Sequence, residues 1–469
     1  MKIWLWTIIL IVIAAFFYMY GLARLPLEEA DEATYAIVVR EMIQSGNFLT
    51  MTYDGAVWTE KPPLLFWLMA GSANLFGLNE FALRWPIAFF GILAVFFTAG
   101  ILKTATGKNE IAFIGAITMI LFPLFLAAAR NIRMDVPVVA MMLGAVWCVF
   151  KSAENKPYAA GVGILTAIGF LLKSVVALLA LPIIFIYGLI YRDWQWMKNK
   201  YFWLGWGAGA IIALPWHIYE TVLLGGRFIA DYLGLHVIER FSDNIIQSGI
   251  TAPYIAKVFW IAGQPWSSVL ILALLIFGAT FFGKQKESSK QIRRLALFSF
   301  TSSVFLIAIF MASRTKLITY FIPAYPFLVL FLASVYWWFL EISQKKYVLF
   351  LRGTFIFLAI IAFGLSFREA FLESKLYVSR QVSDAKPVGV YLADAPENIP
   401  VFSYEYAYDK TVRFYSGKDI IRIKEDNGQT LETPFYLIIP TALLRENEWL
   451  NRFPKLHSGK YLTLVLVQS

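Results

Sequence analysis

The chain has 469 residues, of which 59% are hydrophobic and 15% are charged. This composition excludes a single soluble domain, because too few polar residues remain to cover its surface. The net charge of +10 does not indicate nucleic-acid binding. Segment 367–469 holds 13 basic and 13 acidic residues, so the whole basic excess, 28 against 18, lies in the apolar part. A basic excess in the loops between apolar segments is typical of membrane orientation.

Apolar windows long enough to cross a hydrocarbon core recur through the first 366 residues. They lie near 3–20, 80–102, 111–128, 136–150, 158–172, 174–191, 201–219, 262–282, 295–312, 317–340 and 347–366. The first is interpreted as a retained span, since it exceeds the apolar length of a signal peptide. A twelfth candidate at 62–78 is short and interrupted by proline and glycine, and is interpreted as interfacial or re-entrant. The sequence therefore predicts a mainly α polytopic membrane protein with about eleven spans.

The distribution of basic residues among the loops predicts the orientation of these spans in the membrane. With Lys2 in the cytoplasm, its side carries 16 Lys and Arg in about 50 loop residues, against 11 in about 95 on the other side. This predicts a cytoplasmic N-terminus, with loops 21–79 and 220–261 outside. Residues 1–366 form the predicted membrane domain. Residues 367–469, with short alternating segments separated by turn residues, predict a small α/β domain on the outer side.

Four carboxylates follow the first span within five positions: Glu28, Glu29, Asp31 and Glu32. The helical spacing of the apolar residues after them places Asp31 and Glu32 at the start of a surface helix. Acids favour that end of a helix, which accounts for one or two of them. The alternative is that Asp31 or Glu32, held near the membrane, acts as a general base.

Other charges lie at the predicted outer edges of spans. Lys61, after Glu60, either reaches the lipid headgroups or holds a phosphate. Asp135 either forms a capping ion pair with a nearby arginine or belongs to the site. Lys173 stands between two spans almost without a loop, and a cation so placed usually has an anionic partner or ligand.

Two later outer segments add further candidates. In "GLHVIERFSDN", His236 and Arg240 are four residues apart and share a face if helical. Three histidines in the chain exclude a His-rich metal site, but His236 with Glu60 leaves a two-ligand site open. "SRTKLITYFIPAYP" supplies Arg314 and Lys316. Cations beside carboxylates near lipid suggest transfer of a group from a phospholipid carrier.

The segments "ADEATYAIVVREMIQSGNFLTMTYDGAVWTEKPPLLFW", "RMDVP", "HVIERF" and "KLITYFIPAYP" closely resemble bacterial GT-C membrane glycosyltransferases of the aminoarabinose transferase and protein O-mannosyltransferase superfamily. The resemblance covers residues 1–340. It implies the GT-C fold, a polyprenyl-phosphate sugar as donor and action at the outer face of the bacterial inner membrane. Aminoarabinose transferases have thirteen spans, so the lower count here leaves the acceptor and the sugar open.

The resemblance also implies roles for single residues. Asp31, with Glu32 beside it, and Asp135 match catalytic acids, whereas Lys61 and Arg240 match ligands of the donor phosphate. Glu60 and His236 match a divalent metal site, zinc or another ion, that some relatives lack. Lys173, Arg314 and Lys316 join the candidate phosphate ligands because of their charge and position.

The sequence thus predicts an inverting glycosyltransferase, with lipid A the first acceptor candidate and a protein or a glycan the alternative. Inversion follows from direct displacement by one attacking group. A flippase or transporter for lipid-linked sugar is the rival from another class. It would require charges near the membrane midplane and inverted repeats, and neither is seen in the sequence.

Overall fold

The computed structural model describes residues 3–239, 251–281, 287–373, 380–404, 408–423, 433–444 and 452–468. It is mainly helical. The helices of the membrane part are α1 Ile3–Met19, α2 Asp31–Ser45, α3 Leu64–Phe76, α4 Glu80–Thr106, α5 Asn109–Ile120, α6 Pro123–Ala129, α7 Asp135–Ser152, α8 Ala160–Lys173, α9 Ala180–Tyr191, α10 Gln195–Lys198, α11 Lys200–Leu224, α12 Gly226–Ile229, α13 Ala252–Ala262, α14 Trp266–Phe281, α15 Glu287–Ala312, α16 Tyr325–Ile342 and α17 Lys345–Phe367.

Several short elements connect these helices. They are the 3-10 helices Lys156–Ala159, Ser174–Leu179 and Ile318–Ala324, the π-helices Ala230–Glu239 and Arg368–Glu373, and a hairpin of strands β1 Thr52–Tyr53 and β2 Ala56–Val57. The hairpin leads into two prolines and α3. Because proline lacks an N–H but has a helical φ, it is well suited to the residues just before a helix.

Among the described residues, seven helices are long and apolar enough to cross a membrane, or nine if each of two bent helix pairs is one span. Helices occupy all eleven predicted windows, but three of the windows are counted differently. The two windows between 158 and 191 form one helical stretch, Lys156–Tyr191, and α1 has only 17 residues. The candidate at 62–78 is the 13-residue helix α3. The chain is a multi-pass membrane protein.

Helices α8 and α11 pack through glycines. A Cβ at Gly205 of α11 would overlap the backbone of Ala160, and one at Gly163 of α8 would overlap the backbone of Trp206. Close backbone approach at small residues is a common way for helices to associate in lipid. Gly207, on the same helix, has open space where a Cβ would lie.

The C-terminal part contains a five-stranded mixed sheet in the order β4-β3-β5-β7-β6. Its strands are β3 Val401–Tyr404, β4 Ile420–Ile423, β5 Phe435–Pro440, β6 Lys455–Ser458 and β7 Leu462–Val467, and its helices are α18 Ala385–Ala393, α19 Asp409–Ser416 and α20 Thr441–Leu444. Strand β3 pairs in parallel with β4 and β5, whereas β7 runs antiparallel to β5 and β6. The predicted small α/β domain is confirmed.

This domain contacts the loop that carries the four carboxylates, residues 26–32 (the acidic loop), through α19. Glu29 accepts hydrogen bonds from the backbone N–H groups of Lys410 (3.0 Å) and Thr411 (2.8 Å), in the first turn of α19. Tyr415, near the end of α19, accepts from the Leu27 N–H (3.0 Å) and donates to Glu80 (2.7 Å). A helix N-terminus favours an acid, so Glu29 is a docking group.

Replacing Gly205 with valine should therefore separate α8 from α11 and lower the midpoint of thermal unfolding by several degrees in detergent. Gly207→Val is the matched control, because it makes the same change in the same helix where space is open. Unfolding of the purified variants, followed by fluorescence, measures the difference. Equal midpoints for the two variants would contradict the close packing.

Candidate functional site

The four carboxylates of the acidic loop have different partners. Glu32 is completely buried. Its two oxygens accept from Arg84 of α4, at 2.9 Å from Nε and 2.6 Å from Nη2, and from the backbone N–H groups of Ile132 (2.7 Å) and Glu28 (2.9 Å). Burial alone would raise the pKa of Glu32, but Arg84 and these N–H groups hold it below its usual value. The surroundings do not support the predicted catalytic role of Glu32, because no substrate can reach its carboxylate.

Arg84 extends this buried pair to the backbone of the loop. Its guanidinium also donates to the carbonyl oxygens of Leu22 (2.8 Å), Leu25 (2.7 Å) and Pro26 (2.8 Å). Five donors in a rigid fork allow one arginine to satisfy several carbonyls of an irregular segment. Arg84 was not among the predicted site residues, because an arginine inside an apolar helix window gives no signal of its partners.

Asp31 and Glu28 share Arg133, in the connection between α6 and α7. Arg133 Nη1 lies 2.9 Å from the Asp31 carboxylate and Nη2 lies 2.7 Å from that of Glu28. The Asp31 side chain is 52% exposed, whereas that of Arg133 is 10% exposed. Asp31 is therefore the accessible acid of the loop, held on one side by a buried cation.

Glu28 is a candidate that the sequence analysis did not select. Burial raises its pKa to about 7; Arg133 opposes that rise, whereas the neighbouring Glu32 and Asp31 add to it. A carboxyl with a pKa near neutrality can both take up and release a proton under ordinary conditions. Burial raises the pKa of Glu29 to about 7 as well, so the two acids differ only in their partners: Arg133 for Glu28 and the first turn of α19 for Glu29. No sequence pattern shows this difference, because those partners are distant in sequence.

Asp135 and Lys173 form an ion pair with each other. Asp135 is the first residue of α7, and Lys173 is the last residue of α8. After Lys173 the chain turns through Ser174, which has a φ of +51°. The anionic partner expected for the isolated lysine is thus Asp135, 38 residues away.

Tyr35 shows that these charges lie together. Its buried ring packs against Trp58 and Phe66. Burial raises the pKa of its hydroxyl well above the usual value; Asp31, Glu60 and Asp135 raise it further, and Arg133 lowers it. Charged side chains from α2, from the segment before α3 and from the start of α7 therefore lie close enough to this hydroxyl to shift its pKa. The acidic-loop site is defined as the charged residues near Tyr35, which are Glu28, Asp31, Glu60, Lys61, Arg133, Asp135 and Lys173.

Glu60 and Lys61 lie at the edge of the acidic-loop site. The Lys61 ammonium is 3.8 Å from the Glu60 carboxylate and donates to the Glu60 carbonyl at 3.2 Å. Among the described residues, no group of three or more His, Cys, Asp and Glu could hold a metal ion. Of the two predicted metal ligands, Glu60 alone has a described side chain, and it lies beside the Lys61 ammonium, so we derive no step through a metal.

Some predicted site residues lie wholly or partly outside the described structure. Arg240 is among the residues that are not described, and only the backbone of His236 is described, in the π-helix Ala230–Glu239. The proposed Glu60–His236 pair therefore stays a prediction. Arg314 is exposed, and Lys316 donates to the Ser313 carbonyl at 2.8 Å, both before the 3-10 helix that leads to α16. Their phosphate-binding roles also remain predictions.

The family model described as dolichyl-phosphate-mannose-protein mannosyltransferase matches residues 60–219. The structure superimposes on ArnT from Cupriavidus metallidurans bound to undecaprenyl phosphate with a TM-score of 0.75, at 17% identity over 98% of both chains. The chain has an ArnT-like GT-C fold. The archaeal oligosaccharyltransferase AglB from Archaeoglobus fulgidus is similar with a TM-score of 0.58, at 11% identity over 94% of this chain and 69% of that chain.

The sequence is also similar to curated proteins. An uncharacterized protein from Aquifex aeolicus is 26% identical over 75% of this chain and 68% of its own length. Undecaprenyl phosphate-alpha-4-amino-4-deoxy-L-arabinose arabinosyl transferases from Enterobacter sp. and Serratia proteamaculans are 24% and 26% identical over 70% of this chain. The chain spans 59% of the length of these two transferases. The predicted resemblance to GT-C membrane glycosyltransferases is confirmed, and these relatives support the enzyme class of glycosyltransferase.

Replacing Arg84 with leucine should lower the free energy of unfolding by about 3–5 kcal/mol, because the charge of Glu32 would stay buried without its partner. Urea or thermal unfolding in detergent measures the loss. Arg352→Leu, at an exposed position in α17, is the control and should have a much smaller effect. A similar loss in both variants would show that the Glu32–Arg84 pair is not specially important.

Glu28 should make stability depend on pH. Because its pKa is raised to about 7 from an unfolded value of 4.5, the folded state holds the proton more tightly. Its favourable contribution is complete below pH 4.5 and is lost as the pH rises through 7. Glu28→Gln, which mimics the neutral acid, should therefore gain stability relative to wild type across this range.

Thermal unfolding of wild type and Glu28→Gln at pH 5, 6, 7 and 8 tests this direction. Each unit of pKa shift corresponds to about 1.4 kcal/mol, which sets the upper limit of the change. Glu154→Gln, at an exposed ion pair with Lys151, is the control whose difference from wild type should stay constant. A Glu28→Gln difference that is equally constant would disprove the raised pKa.

Proposed function

We propose that this chain is an inverting glycosyltransferase that moves a sugar from a polyprenyl-phosphate donor to an acceptor at the periplasmic face of the bacterial inner membrane. The observation that carries the proposal is the accessible Asp31 carboxylate, fixed by Arg133 among the charges of the acidic-loop site. The ArnT-like fold and the names of the curated relatives support the donor class.

Asp31 acts as the general base. Its exposed carboxylate oxygen takes the proton of an acceptor hydroxyl while the hydroxyl oxygen forms a bond to the anomeric carbon of the sugar. The bond from that carbon to the phosphate oxygen breaks, and its electron pair leaves with the polyprenyl phosphate. Since one displacement occurs, the configuration at the anomeric carbon inverts.

Cations assist the departing phosphate. Lys61 is largely shielded from solvent, with 13% of its side chain exposed, and an ammonium so placed binds an anionic phosphate more strongly than one in water. Arg240, Arg314 and Lys316 are the further proposed ligands. Lys173 is already paired with Asp135, so we propose that this pair positions groups rather than binding phosphate directly.

The orientation and the acceptor belong to the same proposal. The N-terminus is cytoplasmic, and residues 367–469 form a periplasmic domain that docks on the acidic loop. Lipid A is the proposed acceptor. A protein acceptor is the second candidate, because the matching family model describes protein mannosyltransferases.

Sugar transfer in inner-membrane vesicles that contain polyprenyl-phosphate sugars tests the proposal. Asp31→Asn should reduce the transfer rate at least about 100-fold, the usual contribution of a general base. Lys61→Ala should raise the donor KM by about 10-fold or more, since a hydrogen bond to a charged group is lost. Mass spectrometry of the labelled product identifies the acceptor.

Glu110→Gln and Lys345→Ala are the matched controls, because both side chains are exposed and lie outside the acidic-loop site. Labelled lipid A, lost with Asp31→Asn, would support the whole proposal, whereas labelled protein or glycan would replace only the acceptor. Full activity of Asp31→Asn would contradict the assigned base. Labelled donor that crosses the bilayer without product would favour the flippase.

A further inference from the structure

Two arginines, Arg24 and Arg130, lie together where the last membrane helix passes into the C-terminal part, and are called the arginine pair. Arg24, just before the acidic loop, donates from Nη1 to the carbonyl oxygen of Phe371. Arg130, directly after α6, donates from Nη2 to the carbonyl oxygen of Ala370 at 3.2 Å. Because the two guanidinium groups bind consecutive carbonyls of the π-helix Arg368–Glu373, they lie close to each other.

No carboxylate of the described residues neutralises the arginine pair. The described partners of Arg24 and Arg130 are backbone carbonyl oxygens and, for Arg130, the ring of Phe371 at 5.1 Å. Burial lowers the pKa of Arg130 to about 10, and the nearby Arg84 lowers it further. Carbonyl oxygens satisfy donors but carry no net charge, so two adjacent cations repel each other unless an anion lies between them.

Arg130 keeps two donors for such an anion. Its Nη1 donates to the carbonyls of Phe17 (2.6 Å) and Tyr20 (3.0 Å), which occupies both Nη1 protons. Nη2 gives one proton to Ala370, so the other Nη2 proton and the Nε proton make no hydrogen bond within the described residues. Arg84 holds a buried carboxylate with the same two nitrogens. This edge of a guanidinium also matches two oxygens of a phosphate.

The surface that leads to the arginine pair faces lipid. The Phe371 ring packs against rings from the ends of α1 and α17, with centroid distances of 5.4 Å to Phe16, 5.6 Å to Tyr20 and 4.8 Å to Phe367. Tyr20 is 64% exposed and Phe16 is 41% exposed. Exposed aromatic rings at the ends of membrane helices are typical of the boundary between lipid tails and headgroups. An anion that reaches the pair along this surface is therefore the headgroup of a lipid.

The charge of the arginine pair narrows the class of lipid. A phosphate monoester carries about two negative charges near neutral pH, whereas a phosphodiester carries about one. Two guanidinium groups therefore match a lipid with a phosphate monoester better than an ordinary phospholipid such as phosphatidylglycerol.

The arginine pair shares its segments with the acidic-loop site. Arg133, three residues after Arg130, holds the Asp31 carboxylate. Carbonyls of the segment that carries Arg24 accept hydrogen bonds from Arg84. A headgroup at the arginine pair would thus lie at the edge of the loop that carries the proposed base.

We propose that Arg24 and Arg130 bind the phosphate of a lipid acceptor, which enters from the periplasmic leaflet along α1 and α17. This inference rests on the proposed function, because it assumes that sugar transfer occurs at the acidic-loop site. It assigns the acceptor to the phosphorylated lipids rather than to proteins. The two substrates then use different cations, with Lys61 for the donor and the arginine pair for the acceptor.

Lipid binding by the purified full chain in phosphatidylcholine nanodiscs tests this assignment. The probes are lipid A, lipid A with its phosphates removed, phosphatidylglycerol and undecaprenyl phosphate. Wild type should bind lipid A at least about 10-fold more tightly than the form without phosphates. Arg24→Gln and Arg130→Gln should each raise the Kd of lipid A about 10-fold or more, while the Kd of undecaprenyl phosphate stays the same.

Arg352→Gln is the matched control, because it removes the same charge at an exposed position of α17 outside the arginine pair. It should bind lipid A as wild type does. Arg24 is exposed, so Arg24→Gln tests the proposal without disturbing a buried contact. In sugar transfer, Arg24→Gln should raise the KM of lipid A by about the same factor as its Kd and leave the donor KM unchanged. An unchanged Kd of undecaprenyl phosphate also shows that each variant is folded.

Unchanged binding of lipid A to both Arg24→Gln and Arg130→Gln would overturn the inference. A Kd of phosphatidylglycerol or undecaprenyl phosphate that rises by the same factor would also overturn it, because the arginine pair would then bind anionic lipids in general. Failure of the proposed function looks different. Asp31→Asn would then transfer sugar as fast as wild type, whatever the arginine variants do to the binding of lipid A.

Discussion

The buried pair of Glu32 and Arg84 is the constraint on which the candidate site depends. It fixes the end of α1, the irregular loop and the first turn of α2 to α4 at one point, through the carbonyls of the loop and the N–H of Ile132. A buried ion pair is weak evidence for stability, but its geometry specifies one arrangement of the groups around it. Here that arrangement places Asp31 and Glu28 on either side of the Arg133 guanidinium.

The same loop also carries the C-terminal domain. The Glu29 carboxylate accepts hydrogen bonds from the first turn of α19, and the Tyr415 hydroxyl hydrogen-bonds to both Leu27 and Glu80. Arg40 of α2 donates to the carbonyls of Arg413 (3.0 Å) and Phe414 (3.2 Å). The contacts of Leu27 and Glu29 lie within a few residues of Asp31. The C-terminal domain therefore helps to set the position of the proposed base, and its docking is part of the site's architecture.

The fold was largely predictable, because hydropathy alone identifies helices that must satisfy their backbone in lipid. The alternation of short apolar segments likewise predicted the small α/β domain, but not the order or direction of its strands. The ion-pair and hydrogen-bond partners of the charged side chains were not predictable. Nothing local distinguishes the buried Glu32 from the exposed Asp31 one residue away, since a single step rotates a helical side chain by about 100°. The contacts of Arg84 and the Asp135–Lys173 ion pair were not predictable for a related reason, because they join segments that are distant in the sequence.

The numbers of carboxylates and cations in the acidic-loop site explain how the proposed anionic donor can bind among so many acids. The described site has four carboxylates, on Glu28, Asp31, Glu60 and Asp135, and three cations, on Lys61, Arg133 and Lys173. With Glu28 protonated, these charges cancel, and the pKa of about 7 places that change near neutral pH. Burial of Glu28 thus removes the net repulsion that a phosphate would meet at low dielectric. Glu28, which the sequence did not single out, therefore sets how strongly the site repels the proposed anionic donor.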